Sequence, residues 1–301
     1  MTAIIYTIKK LLSTFLALFL LIGSSNSGAT HTVLDEDSCE LNFTVLSDVH
    51  MESNRKTSRD AFIKIMYDVK NNEVGCDALV FLGDNTMNGQ DIENMFFYGI
   101  LDRINPADTI YTAIGNHDTG NGTDKYDKLS ARFWNYHNTF HDNDVTGPYY
   151  YKIVNGYYFI FLGSESDNVN TTNISVEQIQ WLESVLALAT ENGKPAFVFN
   201  HHPYNYLTEN NDLFKEVLTA YDNVFYFSGH THTQVPIIYD IDEGTHYYNL
   251  PRCTELNDDD SIADGVCGIG LQVEVYDGSV VVRLRNYYTS EWIEDFTYDL
   301  I

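Results

Sequence analysis

Short apolar runs that stop abruptly at polar, metal-capable residues recur along this chain. Ala78 to Leu82 is wholly apolar and gives way to Gly83-Asp84; a run of that length bounded by a turn signal reads as a buried strand of a parallel sheet. Phe43 to Ser47 ends in Asp48-Val49-His50, and Thr109 to Ile114 in Gly115-Asn116-His117-Asp118. Two later runs end in Asn200-His201-His202-Pro203 and Gly229-His230-Thr231-His232. Open α/β sheets bind their ligands at the carboxyl ends of their strands. Five strand ends therefore deliver Asp, Asn and His side chains to one rim, which is the make-up of a dinuclear metal site.

Between these runs the period changes to that of helices. Thr57 to Lys70 carries an apolar stripe at Ala61, Ile63, Ile65, Met66 and Val69, and a second helix is predicted around Ile92 to Ile104, halted by Asn105-Pro106. Such β-α-β units require a parallel sheet with right-handed crossovers. Lys125 to His141 reads as a helix, and Tyr149–Val154, Asn155-Gly156, Tyr157–Leu162 as a hairpin. Ser175 to Glu191 reads as an amphipathic helix opened by a Ser175-to-Gln178 capping box. Phe197–Phe199, a short helix at Asp212–Leu218, and Val224–Phe227 follow. From about residue 235 the pattern is all β, through 237–241, 246–250, 270–276 and 280–287, and is expected to form a second sheet packed on the first. No internal repeat or low-complexity linker interrupts this order.

The first 29 residues have a different character. Lys9-Lys10, the apolar stretch Leu11 to Ile22 and the small polar residues Gly23 to Ala29 follow the order of a secretory leader. Cleavage after Ser27 or Ala29 would leave residues 30–301 as a single secreted or lumenal domain, with an uncleaved anchor as the alternative. With 301 residues and 44% apolar content, a sizeable core is available to it. An oxidising compartment and an even count of four cysteines suggest disulfides, preferably Cys39–Cys76 and Cys253–Cys267. Asn42, Asn121, Asn170 and Asn173 begin glycosylation-type triplets.

Charge narrows the partners. The formal net charge of −26 excludes duplex nucleic acid and anionic membranes, which require Lys and Arg clusters. An anionic small substrate must be held by local positive charge, which buried metal ions supply.

Taken together, Asp48-x-His50, Gly83-Asp84, Gly115-Asn116-His117-Asp118, the later His201 and Gly229-His230-x-His232 resemble the calcineurin-like metallophosphoesterase superfamily. Gly147-Pro148-Tyr149-Tyr150 and Trp181-Leu182 are similar to features of its secreted and bacterial members. The resemblance implies an α/β fold of the αββα kind, a sandwich of two mixed β-sheets flanked by helices. It implies that Asp84 bridges two metal ions, with Asp48, His50 and His232 completing one site and Asn116, His201 and His230 the other. Ligands of this mixed kind suit Zn, Fe or Mn rather than Ca. His117 would protonate the leaving group while a metal-activated water or hydroxide attacks a small phosphate-ester substrate. The His-x-Pro pattern selects His201 over His202 as the ligand, leaving His202 to the substrate or the supporting shell.

Departures from the superfamily's branches are informative. Met87 stands where cytosolic protein phosphatases carry a carboxylate that orients the acid and where purple acid phosphatases carry a tyrosine. Asp118 either takes over the orienting role or caps the following turn. His137, His141 and His246 have no motif around them and read as surface or core-edge residues; His31 falls in the new N-terminus, and the 22 tyrosines suit secreted β structure. Three classes compete: a secreted hydrolase of phosphate monoesters or diesters, a catalytically silent metal-binding or phosphate-binding protein, and a structural module. The retained ligand set and His117 favour the first. Loops 51–59, 119–125, 164–172 and 204–211 would shape the pocket, and only Arg55, Lys56, Arg59 and Lys125 stand out in them as phosphate clamps. The Asp-x-His motif leans the expectation toward diesters or nucleotide-type esters.

Overall fold

The computed structural model describes residues 38–301 except 73, 74 and 142. The chain divides into residues 1–35, outside the described residues together with the expected leader, and a unit of residues 36–301. Its strands are β1 (Leu41–Leu46), β2 (Ala78–Phe81), β3 (Thr109–Thr112), β4 (Tyr150–Val154), β5 (Tyr157–Phe161), β6 (Ala196–Phe199), β7 (Val224–Ser228), β8 (Ile237–Asp242), β9 (Thr245–Asn249), β10 (Ile269–Tyr276), β11 (Ser279–Asn286) and β12 (Glu291–Asp299). The α-helices are α1 (Lys56–Asn71), α2 (Asp91–Ile104), α3 (Tyr126–His141), α4 (Val176–Ala189) and α5 (Asn211–Leu218).

Two six-stranded sheets result, ordered β12-β11-β10-β1-β2-β3 and β4-β5-β6-β7-β9-β8. Strand alternation explains why they face each other. Phe43 and Val45 of β1, Phe197 and Phe199 of β6 and Phe225 and Phe227 of β7 share one buried aromatic layer, with Phe43 edge-on to Phe159 at 4.7 Å and to Phe197 at 4.8 Å. The intervening residues face outward onto helices. Leu79 and Phe81 pack with Phe62, Ile65 and Phe97 of α1 and α2, and Val198 and Tyr226 with Leu182, Leu186 and Phe214 of α4 and α5. The fold is thus α/β, two mixed sheets flanked by helices.

Several local expectations need correcting. The C-terminal strands do not form the second sheet by themselves. β8 and β9 extend the sheet of β4–β7, whereas β10–β12 extend the first sheet, β10 lying antiparallel to β1. The last strand, β12, escaped notice because its burial alternates one partly covered residue with one or more exposed ones, the pattern of an edge. At α4, the Ser175 hydroxyl accepts from Gln178 N at 3.2 Å, but the reciprocal carboxylate is Glu165, and Gln178 instead bonds both backbone groups of Gly163. The full capping box belongs to α2, between Gln90 and Glu93.

Neither cysteine pair is joined: all four thiols are free. The Cys39 thiol donates to Leu41 O at 3.3 Å and the Cys76 thiol to Ala78 O at 3.1 Å, so each is engaged with its own strand. The Cys267 thiol lies 3.6 Å from Cys253 O. Asn42 sits within β1, partly covered, with its amide oxygen accepting from Asp77 N at 3.2 Å. His137 belongs to the core, fully buried and in contact with Asn143 Nδ2 at 3.1 Å; burial pushes its imidazole down to about 3. Among the described residues, no helix is long and apolar enough to cross a membrane.

The outer face of β10 and β11 carries a buried polar group that hydrophobic periodicity does not reveal. Arg283, 2% exposed, clamps Glu274 through Nε and Nη2 at 2.8 and 3.0 Å. Arg283→Ala leaves the Glu274 carboxylate buried without its partner and is expected to destabilise the fold by about 3 kcal/mol. Denaturant unfolding measures this directly. Replacing Glu274 with leucine and Arg283 with methionine together is expected to recover most of the loss, and a loss as large in the double variant would refute the ion-pair account.

Candidate metal centre

All five predicted strand ends meet at one rim. Asp48 and His50 follow β1, Asp84 follows β2, Asn116 and His117 follow β3, His201 follows β6, and His230 and His232 follow β7. Backbone bonds hold these turns edge to edge: Asp48 N donates to Gly83 O at 3.2 Å, His50 N to Asp84 O at 2.8 Å, and Gly229 N to His201 O at 2.9 Å. The turns are so tight that Asp48, His50, Asp84, His230 and His232 have positive φ angles of 54°, 45°, 51°, 70° and 46°. A left-handed backbone costs a side-chain-bearing residue roughly 1–2 kcal/mol, so the fold concentrates strain at this rim.

The glycines in the motifs allow this approach. A Cβ on Gly115 would lie 2.1 Å from Asp84 Oδ1, and one on Gly229 would lie 1.9 Å from Ser47 Oγ and 2.4 Å from Asp48 Oδ2. Gly229→Ala is therefore expected to cost about 2 kcal/mol through overpacking. Unfolding of the metal-free protein tests this, and a change of only a few tenths would show that the turn yields freely.

Two groups of donor atoms converge, Asp48, His50, Asp84 and His232 in one and Asp84, His201 and His230 in the other, with all ligand atoms of a group within 4.8 Å of one another. Asp84 is common to both. Its Oδ1 accepts from His117 N at 2.8 Å, which turns Oδ2 toward His201 Nε2 at 3.1 Å and His50 Nε2 at 3.7 Å. Asp48 is divided in the same way. Oδ2 accepts from the Ser47 hydroxyl and from His230 N, and Oδ1 lies 2.9 Å from His232 Nε2. Asn116 gives Nδ2 to Asn121 and points Oδ1 at His230 Nδ1, 3.1 Å away.

These residues fit a cation. Asp84 Oδ2 and His201 Nε2 are buried 3.1 Å apart without a well-formed hydrogen bond to each other or to another described group, and His50 and His232 bring their Nε2 atoms to 2.9 Å of each other. His201 Nδ1 meets Leu82 O at 2.9 Å, which leaves Nε2 as its ligand atom. Burial pushes the His50 and His230 imidazoles down to about 4, favouring the neutral form that binds metal. Burial also opposes charge on Asp84, but the adjoining His201 outweighs it and holds the carboxyl below the ordinary range. For His201 the balance runs the other way: burial lowers it, and Asp84 and Asp48 raise it to about 9.

The remaining predicted residues acquire definite roles. His117 Nδ1 lies 2.7 Å from the backbone carbonyl of Met87, so the residue that lacks an orienting side chain orients His117 with its main chain. Asp118 neither orients His117 nor caps the next turn. It accepts from Asn85 N, Thr86 N, the Thr86 hydroxyl and Gly115 N, lacing the turn after β2 to the turn after β3. Buried beside Asp84, its carboxyl rises to about 7. His202 is buried with its ring 4.2 Å from that of His230 and its Nε2 unpartnered, so it packs behind a ligand.

Two contributors gave no motif signal. Asn249, fully buried at the end of β9, donates to Gly229 O at 2.5 Å and accepts from the Thr231 hydroxyl, bracing the Gly-His-Thr-His turn. Arg252 lies in the segment that follows. The basic residues singled out in the sequence are largely engaged elsewhere: Arg55 with Glu52 and Asp260, Lys56 with Asp60, and Arg59 with the carbonyls of Glu52 and Ser53. Loops 119–125, 164–172 and 204–211 are tied together by Gly122 N to Asp167 at 2.8 Å and Thr172 N to Tyr206 O at 2.8 Å.

Comparison with known proteins matches residues 41–234 to the model of a family described as calcineurin-like phosphoesterase. No curated protein matches the chain significantly. Among solved structures, a dimetal phosphatase from Danio rerio superposes with TM-score 0.65 at 16% identity, covering 88% of this chain and 100% of that one. Purple acid phosphatase PPD1 from yellow lupin (Lupinus luteus) gives 0.62 at 15%, covering 86% of this chain and 53% of its own. GAP50, the anchor in the inner membrane complex of Plasmodium, gives 0.58 at 15%, covering 87% and 90%. At such identities the likeness is one of fold.

Proposed function

The chain belongs to the calcineurin-like phosphoesterase family, whose members hydrolyse phosphate esters, and from that premise we propose a secreted hydrolase that works with two divalent cations bridged by Asp84. The observation that carries the reading is the shared carboxylate: Asp84 Oδ2 reaches toward His201 of one donor group and His50 of the other. Asp48, His50 and His232 would hold one cation, and Asn116, His201 and His230 the other. The donor set suits Zn, Fe or Mn. Bound there, the cations would polarise phosphoryl oxygens and lower the pKa of water toward neutrality.

The protein's own part is positioning and proton transfer. Asp48 and Asp84 each spend one oxygen on protein donors, which fixes the direction of the other. In His117 the Met87 carbonyl holds the proton on Nδ1, so Nε2 is the nitrogen that carries the exchangeable proton. A protonated Nε2 can then donate to the oxygen of the departing alcohol. Residues 1–29 would direct the enzyme out of the cytoplasm and be removed.

The test loads the purified protein separately with Zn, Fe and Mn and follows hydrolysis of p-nitrophenyl phosphate and bis(p-nitrophenyl) phosphate. Metal-dependent turnover of either ester is the expected result. Failure of every metal on both esters, with the metal bound, would overturn the hydrolase reading.

A further inference from the structure

Arg252 is a charged side chain beside the centre to which the reading above gives no part. Nε and Nη2 of Arg252 are shielded from solvent and meet no hydrogen-bond acceptor among the described residues. Unsatisfied donors on a charged group are costly to bury, so a fold that keeps them there keeps them for a partner that arrives. The other arginines show what that partner looks like. Arg283 uses the same two nitrogens to grip both oxygens of Glu274, and Arg285 uses them to grip Asp68 at 2.8 and 3.1 Å. This edge of a guanidinium presents two parallel N–H groups that match the spacing of an oxyanion's oxygens.

The backbone places this arginine at the centre. Leu250 N donates to Ser228 O at 2.8 Å, Cys253 N to Ser47 O at 2.9 Å, and the Thr254 hydroxyl to Val49 O at 2.6 Å. The segment around Arg252 is therefore strapped across the ends of β7 and β1, the strands that deliver His230, His232, Asp48 and His50. The residue as a whole is only partly exposed.

We propose that Arg252 is the phosphoryl-binding arginine of this centre, its Nε–Nη2 edge receiving two terminal oxygens of a phosphate monoester and setting a preference for monoesters over diesters. This rests on the phosphoesterase reading above. A monoester phosphate carries close to two negative charges near neutral pH and offers three terminal oxygens. A diester also offers two terminal oxygens but carries only one charge between them, so it gains less from a cationic fork. The expectation of diesters rests on the Asp-x-His motif, and Arg252 lies outside the pocket loops whose basic residues are the other candidates for a phosphate clamp.

The test compares the metal-loaded full chain with Arg252→Gln and Arg252→Lys. Steady-state kinetics on the two nitrophenyl esters are combined with metal analysis and calorimetric titration of inorganic phosphate. Arg252→Gln is expected to weaken phosphate binding and raise KM for the monoester about 30-fold, the scale of losing charged hydrogen bonds. The same variant should change diester kcat/KM less than about threefold and leave the metal content intact. Lysine keeps the charge without the fork and should recover only part of the loss. Equal losses on both esters, a fall in bound metal, or unchanged phosphate affinity would each overturn the proposal. Should the wild type hydrolyse neither ester, the phosphoesterase reading fails by itself. Phosphate titration still decides the role of Arg252: weaker binding in the glutamine variant supports it, and equal binding refutes it.

Discussion

Replacing Asp84 with asparagine is expected to lower kcat/KM for phosphate-ester hydrolysis about 10^3-fold and to release bound metal, because one carboxylate serves both halves of the centre. The substitution is nearly isosteric, so the fold should survive it. Its remaining oxygen can still accept from His117 N, the bond that Asp84 Oδ1 makes at 2.8 Å. The group turned toward His201 and His50 then becomes an amide N–H2, a donor facing nitrogen atoms that need an acceptor or a cation between them. The charge lost is the one that holds His201 protonated in the metal-free protein and that a divalent ion requires as counter-charge. Metal analysis after dialysis, circular dichroism and steady-state kinetics separate these effects. A folded variant that keeps its metal and its rate would remove Asp84 from the bridging position and with it the dinuclear reading.

Much of this centre was legible because its ligands sit where the sequence pattern changes. Each apolar run is a strand with both faces buried, so it reads without alternation, and the first polar residue beyond it marks the rim. Asp48, Asp84, Asn116, His201 and His230 all stand within a few residues of such a boundary. The glycines before Asp84, Asn116 and His230 announce turns too close for a side chain. What escaped reading has no local signature. Asn249 ends and Arg252 follows an ordinary strand, and they reach the site only because β9 lies beside β7, a pairing that spans about twenty residues and a hairpin. The polar pairs of β10 and β11 were hidden for a related reason: Glu274 and Arg283 look like solvent-facing residues until the two strands pair and each becomes the other's counter-charge. Sheet membership of the C-terminal strands likewise depends on which edge they join, and the period of a strand carries no information about that.

His117→Asn is expected to slow an alkyl phosphate about 10^3-fold while slowing p-nitrophenyl phosphate less than about tenfold. The difference follows from what a general acid is for. An alkoxide is a poor leaving group and needs a proton in the transition state, whereas nitrophenolate departs as the anion near neutral pH and needs almost none. The imidazole is placed for this work on three sides: its amide is held by Asp84 Oδ1, its Nδ1 by the Met87 carbonyl, and its ring lies edge-on to His50 at 4.5 Å. Since a backbone carbonyl does the orienting, the side chain at 87 should be dispensable, and Met87→Leu is expected to behave as wild type on both esters. An orienting carboxylate would have made that position sensitive. Equal slowing of the two esters would mean that His117 holds the phosphoryl group without transferring a proton, and the acid would then have to be sought among the groups facing the loops at 119–125 and 204–211.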